Sequence, residues 1–238
     1  MMNILLTNDD GYLSMGITLL KKLLLPYGRV VIVAPSTWMS AKSCSITLGH
    51  PISINKIDDD FYSCSGTPAD CVSFALSSLN IDFDLVISGI NHGLNISYDT
   101  MYSGTVGACL EALTFHKKAM AISTNHNFDL VAQFFPQLWD FVWKHQLLSE
   151  DYLLNINFPI GDKVQDIALG QLYYRHDRHY FEEREDGYWA NRETESDFVH
   201  VPDSDCYQVT HDIVSIVPLT KSYFSPSLYE ELLKRRND

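Results

Sequence analysis

The stretch Asn3-Ile4-Leu5-Leu6-Thr7-Asn8-Asp9-Asp10-Gly11 decides how the chain is read. Its first five residues form a short, mainly apolar run of the kind found in strands covered on both faces. The run stops at the turn-forming Asn8-Asp9-Asp10-Gly11, and from Met15 to Leu25 the density of leucines suits a helix. Strand, loop and helix at the outset predict an α/β chain. Adjacent carboxylates at one strand end repel each other unless a cation neutralises them, and a hard divalent ion with oxygen ligands does so directly. Asp9 and Asp10 therefore suggest Mg²⁺ or Mn²⁺. The plain alternative is a polar turn in which an Asx side chain caps the next helix.

The alternation continues outward. Val30 to Val33, Asp84 to Ile87, Ala119 to Ile122 and Leu153 to Ile156 are further buried-strand runs. Thr67-Pro68-Ala69-Asp70 reads as an N-cap, a proline at the first helical position and an acid at the third, opening a helix through about Leu79. Ser103-Gly104-Thr105 opens another that reaches about His116, and Phe128 to Trp143 is amphipathic and helical despite Pro136. Strands alternating with helices imply a three-layer, Rossmann-like, mostly parallel α/β sheet with right-handed crossovers. Beyond Pro159 the pattern changes. His179 to Glu185 and Tyr188 to Arg192 flank Asp186-Gly187, a two-residue hairpin signal that predicts a projecting C-terminal β-hairpin arm. Ser225-Pro226 starts a short terminal helix carrying Leu228, Leu232 and Leu233. Residues 1–238 are expected to form a single domain, with the arm at about 175–211.

Composition bounds the function. With 17 Lys+Arg against 30 Asp+Glu the net charge is -13, which repels a nucleic-acid polymer. The five cysteines, Cys44, Cys64, Cys71, Cys109 and Cys206, form no C-x-x-C pair, so reduced thiols in a cytoplasm fit best. No basic-then-apolar leader opens the chain, and no apolar run reaches the roughly 18 residues of a membrane span. A soluble, cytoplasmic protein is expected.

In open parallel sheets, ligands bind beyond the carboxyl ends of the strands. Three loops fall there: Asn8 to Gly11, Pro35 to Ser45 and Ser88 to Thr105. The latter two offer Ser40, Ser43, Asn91 and Asn95, whose neutral oxygens complete a cation's shell without further negative charge; singly, each reads equally well as a loop residue with a satisfied hydrogen bond. Ser103-Gly104-Thr105 precedes a helix whose N–H groups and dipole suit a phosphate, although ordinary capping also explains the serine. The nine histidines give no metal motif: His176 and His179 read as surface residues, and His92, next to Asn91, is the one worth testing. There is no G-x-S-x-G elbow and no P-loop.

The blocks ILLTNDDGY (Ile4 to Tyr12), GTPADCV (Gly66 to Val72), SGIN (Ser88 to Asn91) and YSGTVGA (Tyr102 to Ala108), in that order, resemble the signatures of the SurE survival-protein family of nucleotidases. LLNINFP (Leu153 to Pro159) and VSIVPL (Val214 to Leu219) extend the likeness nearly to the C-terminus. The resemblance implies an α/β fold and hydrolysis of nucleoside 5′- and 3′-monophosphates with one Mn²⁺ or Mg²⁺ per subunit, with short polyphosphate as a further substrate. It places metal ligands at Asp9, Asp10, Ser40 and Asn91, and further active-site positions at Asn8, Asn95, Ser103, Gly104 and Thr105. It also implies a homodimer or homotetramer formed through the arm.

Two departures stand out. Where the family shows Arg-Ser-Gly-Ala-Ser, this chain has Met39-Ser40-Ala41-Lys42-Ser43, and Tyr12-Leu13-Ser14-Met15-Gly16 lacks the usual proline before the glycine. The first leaves open a rival reading, a catalytically silent nucleotide-binding or assembly protein on the same fold. Covalent aspartyl-phosphate chemistry fits less well, because it uses two aspartates separated by one residue and here they are adjacent.

Overall fold

In the computed structural model, which describes residues 1–175, 177–194, 201–222 and Tyr229, the opening apolar run becomes β1 (Met2–Thr7), near the middle of a nine-stranded sheet. The other strands of that sheet are β2 (Gly28–Pro35), β3 (Ile54–Asp58), β4 (Phe61–Cys64), β5 (Leu85–His92), β6 (Lys118–Thr124), β7 (Tyr152–Asn157), β8 (Asp166–Leu169) and β11 (Ile213–Thr220). Their order is β3-β4-β2-β1-β5-β6-β7-β11-β8. From β4 to β7 neighbouring strands run parallel, whereas β3 at one edge and β11 with β8 at the other run the opposite way. The sheet is thus mostly parallel, as the sequence pattern implies.

Side chains alternate along each buried strand. Ile4 and Leu6, Val30 and Ile32, Leu85 and Ile87, and Met120 and Ile122 face one core with helices α1 (Met15–Leu24) and α5 (Phe128–Lys144). Leu5, Val31, Val33, Val86, Ala119 and Ala121 face the other, with α2 (Pro68–Ser78) and α4 (Gly104–Thr114). This makes three layers, and it explains why the strands read as continuous apolar runs: both faces are covered. Pro136 sits inside α5, as expected.

The order of connections sets the position of the site. From β1 the chain passes through α1 to β2 on one side, while β5, on the other side of β1, is followed by α3 (Asp99–Tyr102) and α4 on the opposite face. Connections diverge between β1 and β5, and their carboxyl ends form the crevice where open α/β sheets bind ligands.

In the C-terminal region, β9 (Asp177–Arg184) and β10 (Gly187–Thr194) form the expected hairpin. Its turn is Glu185-Asp186, one residue earlier than the expected Asp186-Gly187, because Gly187 already pairs with Arg184 and takes φ 129° on the strand side. Within 175–211, helix α6 (Asp205–Thr210) packs on the body: Cys206 and Val209 cluster with Ile96, and Asp205 accepts the Ser97 N–H at 2.8 Å. His176 and the terminal helix expected from Ser225 lie outside the described residues.

Helix α1 begins with Met15 at its first position, after the N-cap Ser14, so the absent proline falls where proline is merely favourable. Gly16 is the stricter requirement: a Cβ there would lie 2.0 Å from the Ile90 carbonyl oxygen. Gly16→Ala is therefore expected to push α1 off β5 and to cost roughly 1–3 kcal/mol, read as a lower urea midpoint at unchanged slope.

Candidate active site

Asn8 braces the end of β1. Its Nδ2 donates to the Gly11 carbonyl (3.0 Å) and to Ser14 Oγ (2.7 Å), which itself caps α1. The tetrapeptide is therefore a capped turn, as the plain reading holds, but the capping comes from Asn8 and Ser14 and leaves both aspartates for other partners.

Asp9 is only 3% exposed. Thr105 Oγ1 donates to its Oδ1 at 2.7 Å, across the crevice from the first turn of α4. The helix comes this close because residue 104 is glycine: a Cβ would stand 2.9 Å from the Asp9 Cβ. Burial pushes the Asp9 carboxyl up from 3.8 to about 6; the Thr105 hydroxyl opposes the rise and the charge of Asp10 adds to it. Asp10 is half-buried, and its Oδ2 accepts the His92 N–H at 3.2 Å. One acid is thus held by α4 and the other by the end of β5.

The second loop is fastened to the same place. Met39 N–H donates to the Asp9 carbonyl at 2.8 Å, and Ser43 donates through its N–H to Tyr102 O (2.9 Å) and through its hydroxyl to Met101 O (2.8 Å). Gly107 of α4 permits this contact, since a Cβ would lie 2.0 Å from Ser43 O. Between these anchors Ser40 is half-buried, and its hydroxyl bonds to none of the described residues. The structure thereby separates the two serines: Ser43 is committed to α3, Ser40 is available. Further on, Thr47 donates to both oxygens of Asp70 (2.9 and 2.6 Å) and Thr67 adds its N–H (2.8 Å). Burial would raise the Asp70 carboxyl, but these bonds outweigh it and hold the group below the usual carboxylate range.

Ala41, in the place of the expected glycine, takes a left-handed backbone at φ 57°. A Cβ raises the cost of that conformation, which glycine adopts freely. Ala41→Gly is expected to stabilise the protein by about 1 kcal/mol, seen as a higher thermal midpoint.

On the third loop, Asn91 Nδ2 donates to Gly93 O at 2.8 Å, which orients the amide and leaves its oxygen without a donor among the described residues. His92 is exposed; its Nε2 meets His126 Nδ1 and its ring stacks on Phe128 at 5.8 Å. His126 was not singled out by sequence, because no spacing links residues 34 apart. Asn95 is buried and donates to Ser123 Oγ (2.9 Å), while Asn155 and Asn157 donate to its carbonyl (2.8 and 3.0 Å). Its contacts tie the third loop to β6 and β7. Ser103 Oγ accepts the Val106 N–H at 3.1 Å and so acts as the cap of α4.

Among the described residues no three His, Cys, Asp or Glu side chains converge as a metal cluster. The fit to a divalent ion therefore rests on the two carboxylates with neutral oxygens beside them. Asn8 Oδ1, buried without a hydrogen bond among the described residues, is a further such oxygen at the same strand end. An all-oxygen set of low charge suits a hard cation, and a buried acid held up near 6 is what such a cation relieves.

A three-layer α/β sheet with paired acids at its topological switch point defines the class: an α/β protein with a candidate cation and phosphate crevice at its strand ends. The family described as Survival protein SurE matches residues 4–179. The chain is 34% identical to the 5′-nucleotidase SurE of Acinetobacter baylyi, over 97% of this chain and 98% of that one. It is 41% identical to the Vibrio cholerae protein of the same name, over 74% and 72%. The crystal structure of the SurE protein from Aquifex aeolicus superposes with a TM-score of 0.85 at 31% identity, covering 99% of this chain and all of the other. The chain belongs to the Survival protein SurE family.

Because the fold raises the Asp9 carboxyl, the metal-free protein is favoured with Asp9 protonated and loses that advantage as pH rises from about 4 to about 6. Asp9→Asn removes the buried charge and is expected to raise the metal-free thermal midpoint above pH 7 by the equivalent of at most about 3 kcal/mol, with little change near pH 4. Melting curves across pH check this. Mn²⁺ should raise the midpoint of the wild type at pH 8 and not that of the variant.

Proposed function

We propose that the chain is a metal-dependent nucleotidase that hydrolyses nucleoside 5′-monophosphates to nucleoside and phosphate, with 3′-monophosphates and short polyphosphate as further substrates. The observation that carries the proposal is the pair Asp9 and Asp10, held from opposite sides by Thr105 and by the His92 N–H at the switch point of the sheet. Asp9, Asp10 and Asn91 would hold one Mn²⁺ or Mg²⁺, with Ser40 contributing its hydroxyl. Such an ion supplies Lewis acidity toward the phosphoryl oxygens and lowers the pKa of an attacking water.

The protein's own groups bind and orient. Thr105 fixes one Asp9 oxygen, Asn8 stiffens the turn, and the Gly104 N–H with the dipole of α4 favours the phosphate. Asp9 takes part of the donor set at that helix end, so Ser103, Gly104 and Thr105 divide between holding the acid and receiving the anion. Asp9 or Asp10 would accept the proton of the attacking water. As the water's oxygen bonds to phosphorus, the phosphorus–oxygen bond to the sugar breaks and the sugar oxygen takes a proton from solvent.

The silent reading draws on the altered residues Met39 to Ser43. The left-handed backbone at Ala41, which suits the glycine the resemblance leads one to expect, and the two anchors of that loop favour the active one. Homodimer or homotetramer assembly through the arm at 175–211, and a cytoplasmic location, belong to the same proposal. For the described residues, no helix is long and apolar enough to cross a membrane.

Phosphate release from AMP and from an aryl phosphate, with Mn²⁺ or Mg²⁺, tests the reading. Release is expected, lost on chelation and restored by metal. Asp9→Asn is expected to lower kcat by about 100-fold or more without unfolding the protein. A chain that releases no phosphate from either substrate with either metal is not a nucleotidase.

A further inference from the structure

Two clefts flank Asp10. One, of about 260 Å³, is lined by Ser14, Met15, Gly16, His92 and Phe128. The other, of about 340 Å³, is lined by Gly11, Tyr12, Ser14, Thr37 and Trp38. Both are large enough for part of a small ligand, but their aromatic groups differ. In the first, His92 and Phe128 already lie face to face, 9° from parallel, and His92 also meets His126. In the second, Trp38 is 71% exposed, and its indole has no hydrogen bond or ring contact among the described residues.

An indole in that state is unusual, because tryptophan is highly buried on average. Nor is it exposed through looseness of the chain. Ser36 N–H donates to Cys64 O at 2.6 Å, Tyr12 N–H to Pro35 O at 2.9 Å, and Met39 N–H to Asp9 O at 2.8 Å. Trp38 therefore stands on a tether of two residues between backbone anchors, and the second anchor is the metal-binding candidate itself. A large π-face is held open beside the catalytic acids, at little ordering cost to a ligand that covers it.

We propose that Trp38 is the base platform of the active site: the purine or pyrimidine ring of the substrate stacks on its indole while the phosphate lies at Asp9 and Asp10. This rests on the nucleotidase reading and names a specificity-determining residue for it. Stacking on an aromatic side chain accepts every base, because each has a π-face. The platform thus selects nucleotides over other phosphomonoesters without selecting among bases. Trp38 lies between the sequence blocks that carry the likeness to the family, one residue before the altered Met39 to Ser43.

The test compares AMP with ribose 5-phosphate, which carries the same phosphate and sugar without the base. In the wild type kcat/KM favours AMP; in Trp38→Ala that preference is expected to fall about ten-fold, through KM, and Trp38→Phe is expected to restore most of it. Adenosine, which needs no metal, provides a second readout: it should quench a saturable part of the tryptophan fluorescence in the wild type and not in Trp38→Ala. An unchanged preference overturns the proposal, as does an equal loss on both substrates, which would mean that Trp38 only shapes the loop. Should the wild type hydrolyse neither compound with Mn²⁺ or Mg²⁺, the nucleotidase reading fails, and adenosine quenching alone decides whether Trp38 binds a base.

Discussion

Asp9 carries its charge where burial opposes it, and the neighbouring architecture answers to that conflict. A buried carboxylate needs donors or a cation. The Thr105 hydroxyl supplies one bond from α4, Gly104 lets the helix approach, and Met39 N–H takes the backbone oxygen of the same residue. Strand β1, the second loop and the α4 terminus therefore meet on a single residue. What they leave unsatisfied, a carboxyl raised to about 6 beside a second acid, is an electrostatic demand of the kind a divalent ion would meet.

The loops that complete the crevice are placed by polar contacts at some distance from it. Asp70 pins the second loop at Thr47, and Asn155 with Asn157 pins the third at Asn95. Helix α3 joins these parts: Met101 O receives the Ser43 hydroxyl, and Asp99 pairs with Arg175 (3.1 Å) and with Arg192 of the hairpin. Arg175 also bonds to Asp177 at 3.0 Å, so the arm is tied through charge to the helix that precedes Ser103. Partly buried ion networks add little net stability, because desolvation offsets attraction, but they fix geometry. Here they fix the hairpin against α3.

Much of the fold was legible because each central strand is covered on both faces and announces itself as an apolar run. Strands β1, β2, β5, β6 and β7 and helices α1, α2, α4 and α5 stand where the residues placed them, with ends shifted by a few positions. The edge strands β3 and β8 were not legible. Exposed residues such as Lys56 and Asp58 carry no apolar run, and pairing with a neighbour alone makes them strands. The hairpin was readable in kind but not in register, since Asp-Gly fixes the turn only to within one residue until the strands pair.

The sequence by itself determined the candidate residues of the crevice, because paired acids, a capped helix start and amide-bearing loops are local patterns. Tertiary structure alone decided how the work is divided among them. Ser43 is spent on Met101 while the Ser40 hydroxyl bonds to none of the described residues, Thr105 serves Asp9, Asn95 braces the sheet, and Trp38 is held open beside Asp10. Each of these depends on contacts between segments far apart in the chain, and local residue patterns do not encode which distant group a given side chain will reach.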